Sequence, residues 1–239
     1  MMKTVMAAFR QFLSAITRDA MLAACLAMPL PMAALLRWGV PALEGALLPT
    51  LGTAHVLAPY YGLIDLFLSM MIPLMFCFAG VMVILEELDD GTARYLMVTP
   101  LGRRGYLVSR LVILTALSAV YDVALLAGFS LSGMALWLNV LCALVNALVS
   151  VSVAMLVVGL ARNKVEGMAL IKLSGFFLLG YLGAYFLQTP LAYVAGVLPG
   201  YWLGRMVLEQ NGVWALPAAV VACIWIGLFY RRFDRKISS

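Results

Sequence analysis

The sequence predicts an all-α polytopic membrane protein, and three observations carry that prediction. Of 239 residues, 65% are apolar and only 11% charged, whereas soluble domains run nearer half and a quarter. The mean hydropathy is +1.04. The apolar residues fall in six long continuous runs, not in alternating ten-residue segments, which selects helices over a β-barrel. Disorder is excluded by the same bias. At about 20 residues per crossing, the length accommodates roughly six spans and no large extramembrane domain.

Residues 1–19 read as an amphipathic helix. At 100° per residue, Val5, Met6, Phe9, Phe12, Leu13 and Ile16 share one side, and Lys3, Arg10, Gln11, Ser14, Thr17 and Arg18 take the other. Such a helix is expected to lie in the membrane interface with its apolar face in the acyl boundary. Asp19 then caps or interrupts it. The first span, 20–36, is short and contains Pro29 and Pro31, so two missing backbone donors predict a kink or local unwinding. Its start after an amphipathic stretch, and its end at Arg37-Trp38, argue against a cleavable signal peptide.

The second span covers 60–85 and the third 111–131, the fourth 134–161, the fifth 168–187 and the sixth 213–230. Pro73 and Pro217 are expected to bend the second and sixth. Residues 188–212 are too apolar for an aqueous loop, yet are broken by Pro190 and Pro199. A pair of half-helices dipping into the outer leaflet fits them, with Tyr193, Tyr201 and Trp202 at headgroup level. Residues 231–239 form a basic tail.

Basic residues set the orientation. Lys3, Arg10 and Arg18 precede the first span, and Arg94, Arg103, Arg104 and Arg110 separate the second from the third. Arg162, Lys164 and Lys172 lie between or beside the fourth and fifth, and Arg231, Arg232, Arg235 and Lys236 follow the sixth. Only Arg37 and Arg205 fall on the opposite side. The positive-inside rule then places both termini in the cytoplasm. The net charge of +5 is thus a topological signal and does not point to nucleic acid.

The most polar stretch is 86–104. Glu86, Glu87, Asp89 and Asp90 precede Arg94, Arg103 and Arg104; Gly91 breaks a helix leaving the membrane; 92–98 can form a short second helix; and Pro100-Leu101-Gly102 makes a turn. This is either a docking knob for a soluble partner or a solvated loop. Asn163, Lys164 and Glu166, in the short fourth-to-fifth connection, offer a second cytoplasmic contact. Within the spans, polar residues are few. Asp122 lies about 18 Å beyond Arg110 at helical rise, near mid-membrane. Asn139 and Asn146, seven residues apart, face nearly the same way. An ionisable group at that depth marks either a translocation path or a structural bond. Asp65, just inside the outer boundary, is expected to be hydrated.

Enzyme readings fail on chemistry. The stretch Asp90-Gly91-Thr92-Ala93-Arg94 resembles the carboxylate motif of CDP-alcohol phosphotransferases. It lacks one residue of that spacing, however, and the next aspartate, Asp122, is far too distant to share a metal. Cys25, Cys77, Cys142 and Cys223 sit in apolar runs without a CxxC pair, and a single His55 excludes a multi-histidine metal site. No GxxxxGK[ST] loop is present, so the chain has no such nucleotide site.

The arrangement resembles the ABC-2-type permeases, the membrane subunits of ATP-binding-cassette exporters. The likeness rests on the amphipathic helix before a proline-bearing first span, the proline-broken segment before the sixth, and the pattern E-x-x-x-G-T-x-x-x-L-x-x-T-P-L. Glu87, Gly91, Thr92, Leu96, Thr99, Pro100 and Leu101 fit that pattern in register. The stretch 163–167 is similar to the corresponding loop of small drug-export permeases, including those labelled fluoroquinolone exporters. The resemblance implies one half of a dimeric pore, with a second copy or paralogue as the other half. A separate cytoplasmic ABC ATPase would bind ATP and Mg, with no cofactor in this chain and no metal. It also implies a coupling helix at 86–104, a bacterial or archaeal plasma membrane, and outward movement of a lipophilic or amphipathic substrate by alternating access. The alternative is a membrane scaffold that recruits a cytoplasmic partner without transporting anything.

Overall fold

The computed structural model describes residues 2–51, 57–187 and 192–238, and the secondary structure among them is helical. In chain order the α-helices are α1 (Met2–Arg18), α2 (Ala20–Ala27), α3 (Pro29–Leu51), α4 (Tyr61–Asp89), α5 (Thr92–Val98), α6 (Gly102–Leu107), α7 (Ile113–Phe129), α8 (Leu136–Leu160), α9 (Lys164–Ile171), α10 (Leu179–Phe186), α11 (Ala192–Ala195), α12 (Pro199–Glu209) and α13 (Ala215–Ser238). A π-helical turn, Val108–Val112, joins α6 to α7, and a 3₁₀ stretch, Lys172–Leu178, joins α9 to α10.

Among the described residues, six stretches are long and apolar enough to cross a membrane: Ala20–Ala46, Ala58–Asp89, Gly102–Phe129, Leu136–Leu160, Lys164–Phe186 and Gly212–Ile237. The second and fourth are the most buried and form the centre, with α4 packed on α7 and α8, and α8 packed along α13. The first and sixth are the least covered.

Several boundaries and environments differ from the sequence reading. The first span runs well past 36, because Arg37 does not end it: its guanidinium donates to the Ser130 carbonyl at 3.0 Å, and Trp38 meets Phe129 edge to face. Asp19 caps α2, accepting from the amides of Met21 and Leu22, and the helix is interrupted at Met28 between α2 and α3, as the two prolines demand. Pro217 does not sit mid-span. It is the third residue of α13, where no intrahelical donor is required of it. Nor are residues 231–238 a free tail: α13 continues to Ser238, with Phe233 and Ile237 buried and the Phe233 backbone close to Gly159 at the end of α8.

The apolar face of α1 is spent on protein, not on lipid. Phe9, Phe12 and Ile16 are buried in the main core, which leaves Met6 exposed. Asp65 is likewise buried. Its carboxylate accepts from the Leu131 and Ser132 amides at 2.9 Å each and from the hydroxyls of Ser130 and Ser132 at 2.7 and 2.6 Å. Charge that looked hydrated from the sequence instead clamps the turn between α7 and α8. His55 and residues 188–191 lie outside the described residues.

At the end of the bundle opposite the basic residues, α12 lies alongside α10 and runs the same way, with Gly200 beside Tyr181 and Gly204 beside Ala184. Small residues permit this approach, as in membrane helix pairs generally. Tyr201 is buried in that seam, while Trp202 stacks on Trp214. A Cβ at Gly180 would fall 2.7 Å from the Tyr201 amide nitrogen. Gly180→Ala is therefore expected to cost about 1–3 kcal/mol through overpacking, read as a lower unfolding temperature in detergent. An unchanged melt would mean that the seam opens freely.

Candidate functional site

The basic end of the bundle is built around one helix break. Gly91 has φ +73, a left-handed conformation that costs an L-residue about 1–2 kcal/mol, and there the chain leaves α4 and starts α5. Eight residues later Thr99 closes α5. Its hydroxyl donates to the Leu96 carbonyl at 2.6 Å, and its carbonyl accepts from the Gly102 amide at 3.0 Å. The sequence motif thus encodes helix, break, short helix and turn. Ala93, half-buried Leu96 and Leu101 pack with Ala8, Val5 and Tyr106, so α5 rests on α1 and α6.

Glu87 faces inward from this loop. It forms a two-point pair with Arg110, whose Nη2 reaches Oε1 at 2.6 Å and whose Nε reaches Oε2 at 3.1 Å; the Tyr106 hydroxyl donates to Oε2 at 2.9 Å. Arg110, 1% exposed, also donates to the Ala8 carbonyl at 2.6 Å and lies 4.8 Å from the Phe12 ring centroid. One guanidinium therefore ties together α1, the end of α4 and the π-helical turn of the third span. From the sequence, Arg110 reads only as topological charge. Its partner is 23 residues away on another helix, beyond any local periodicity.

Other charges bind neighbouring elements to the same end. The Lys164 ammonium meets Glu86 at 2.6 Å, and its amide donates to Asp89 at 3.0 Å, which brings α9 against the end of α4. Asn163 caps α9 by accepting from the Glu166 amide, and the Glu166 carboxylate accepts from the Arg162 amide. Arg103 pairs with Asp234 on α13. Asp90, Thr92, Arg94, Pro100 and Arg104 point outward. So do three apolar side chains that the sequence reading passed over: Tyr95 at 70% exposure, Val98 at 83% and, on α9, Val165 at 71%. Their signal was present, since Tyr95 and Val98 are three apart on the helix face away from Ala93.

Deep in the bundle, hydrogen bonds join spans two to five. Tyr181 donates to Asn146 Oδ1 at 2.6 Å, Asn146 Nδ2 donates to Ser69 at 2.9 Å, and Ser69 donates to Asp122 Oδ2 at 2.8 Å. Asp122 and Asn146 thus meet through a serine that the sequence did not single out. Asn139, also buried, stands apart from this chain. Asn139 Oδ1 and Asp122 Oδ1 have no partner among the described residues. No cluster of three or more metal-ligating side chains occurs among those residues.

Fold and site together define a polytopic membrane protein with a polar relay at its centre and a stapled, partly apolar knob at its basic end. A family model described as "Fluoroquinolones export permease protein Rv2686c-like" matches residues 12–232, and the chain belongs to that family of membrane export permeases. Two relatives, the fluoroquinolones export permease proteins MT2760 and Rv2686c from two strains of Mycobacterium tuberculosis, are 26% identical over 162 residues. That match covers 64% of this chain and 64% of each relative. No solved structure is a significant match.

Proposed function

We propose that this chain is the membrane half of an ATP-driven exporter, working as a dimer in a cell membrane with both termini in the cytoplasm. A separate ABC ATPase supplies the energy, this sequence carrying no GxxxxGK[ST] loop of its own. The substrate is lipophilic or amphipathic; the relatives' names make fluoroquinolone-like drugs the first to try. The observation that carries this reading is the exposed Tyr95–Val98 face of α5, a helix too short to be stable alone yet held by Gly91, Thr99 and the Glu87–Arg110 pair. Apolar side chains displayed on a braced helix suit a groove in a soluble partner. Braced in this way, α5 passes a push from the ATPase into α1 and into spans two and three together, and those spans rock between inward- and outward-facing states.

Glu87 therefore braces the coupling helix from within and Arg103 ties its end to α13 at the surface, whereas Arg94, Arg104 and Asp90 rim the contact. Lys164, Asn163 and Glu166 shape α9, which displays Val165 at the same end of the bundle. Retention of a P-loop ATPase by the tagged permease tests this. Changing Tyr95 and Val98 together to aspartate is expected to reduce retention at least tenfold and to leave the unfolding temperature unchanged, because both side chains are solvent-facing. Undiminished retention, or a wild-type chain that never holds such an ATPase, would defeat the reading.

A further inference from the structure

The two orphaned acceptors lie on adjoining helices, Asp122 on α7 and Asn139 on α8. The relay that reaches Asp122 runs one way, each group donating to the next, and it satisfies only Oδ2. A carboxyl group at 0% exposure with one oxygen unmet, and no cationic side chain paired with it among the described residues, leaves room for a partner that those residues do not supply.

The same two helices enclose a groove of about 260 Å³ on the outer surface of the bundle, lined by Ala119, Val120, Val123, Val140, Ala143 and Leu144. Around its helix, Ala119 is about 60° from Asp122, and Ala143 is about 40° from Asn139. Ala119 and Ala143 are thus the lining residues nearest in angle to the two orphaned acceptors, neither of which itself lines the groove. Its walls are wholly apolar, and it opens to the surface that would meet lipid.

From this placement we infer that the cleft between spans three and four is a binding site for a lipophilic cation bearing an N–H donor. Its apolar body lies in the groove, and its charged donor reaches Asp122 Oδ1. The buried carboxylate gains the counter-charge and the hydrogen bond that it lacks, and a neutral molecule of the same outline gains neither. The inference gives the proposed export activity a substrate class. It rests on that reading only for the direction in which the ligand then travels.

The test uses the permease alone in lipid nanodiscs with two fluorescent probes of one shape: 9-aminoacridinium, a planar cation with N–H donors, and anthracene, which has neither charge nor donor. Anisotropy titrations against empty discs should give saturable binding of 9-aminoacridinium to wild type. Asp122→Asn, which can still accept from Ser69, should weaken that binding at least tenfold and leave anthracene unaffected. Val120→Trp, placed at the exposed rim where folding is not at stake, should weaken both probes by filling the groove. Equal affinity of wild type and Asp122→Asn for the cation overturns the inference. So does an absence of saturable binding, as a groove occupied only by acyl chains would give, or indifference of the cation to Val120→Trp. No ATPase enters the measurement, so its failure and a failure of ATPase retention are separate results.

Discussion

Arg110→Ala is expected to remove about 3–5 kcal/mol of stability, the usual result of breaking a buried ion pair by deleting one partner. The loss exceeds that of one contact because the guanidinium serves three elements. Without it, Glu87 keeps only the Tyr106 hydroxyl, the Ala8 carbonyl loses its side-chain donor, and Phe12 loses the cation over its ring. The measurement is thermal unfolding in detergent, followed by limited proteolysis of α1, which should detach first. Removing both charges with apolar residues of similar size, Arg110→Met with Glu87→Leu, should recover much of the stability, since neither charge is then stranded. If the single variant melts like wild type, the hub does not hold α1. If the double variant is stable and still retains an ATPase, the pair is dispensable for coupling as well.

The second large effect is expected at the other end of the bundle. Asp65→Ala strips the turn between α7 and α8 of a buried acceptor for four donors, two of them backbone amides, and should cost about 3 kcal/mol. Asp65→Asn should be nearly as damaging, which separates hydrogen bonding from volume: half of the carboxamide would present a donor to a ring of donors. Accelerated proteolysis near Ser130, together with a lowered melt, is the expected reading. If asparagine were tolerated as well as aspartate, the clamp would depend on shape alone.

The fold class and the number of spans were legible because both depend on long apolar runs, a signal that needs no knowledge of neighbours. The break at Gly91 and the short helix after it were legible for a similar reason, because turn chemistry is local. What escaped was the direction in which charged side chains point. Glu87, Asp65 and Arg103 all look like surface charge in a linear reading. Each instead finds a partner far along the chain: Arg110, the turn at Ser130, and Asp234. The fate of α1 was hidden similarly, since an apolar stripe has the same period whether it meets lipid or Phe12 meets the core. The relay at Asn146 needed Ser69 and Tyr181, which have no pattern of their own in an apolar run.

Seven residues of span five, Lys172–Leu178, are wound three to the turn, a long run for that geometry. Rewinding them at 3.6 to the turn would shorten the rod by about 3.5 Å and twist everything above it by about 140°. Because Gly180 and Ala184 are in close register with α12, such a change would screw that outer helix inward along with α10, much as turning a threaded bolt draws in its plate.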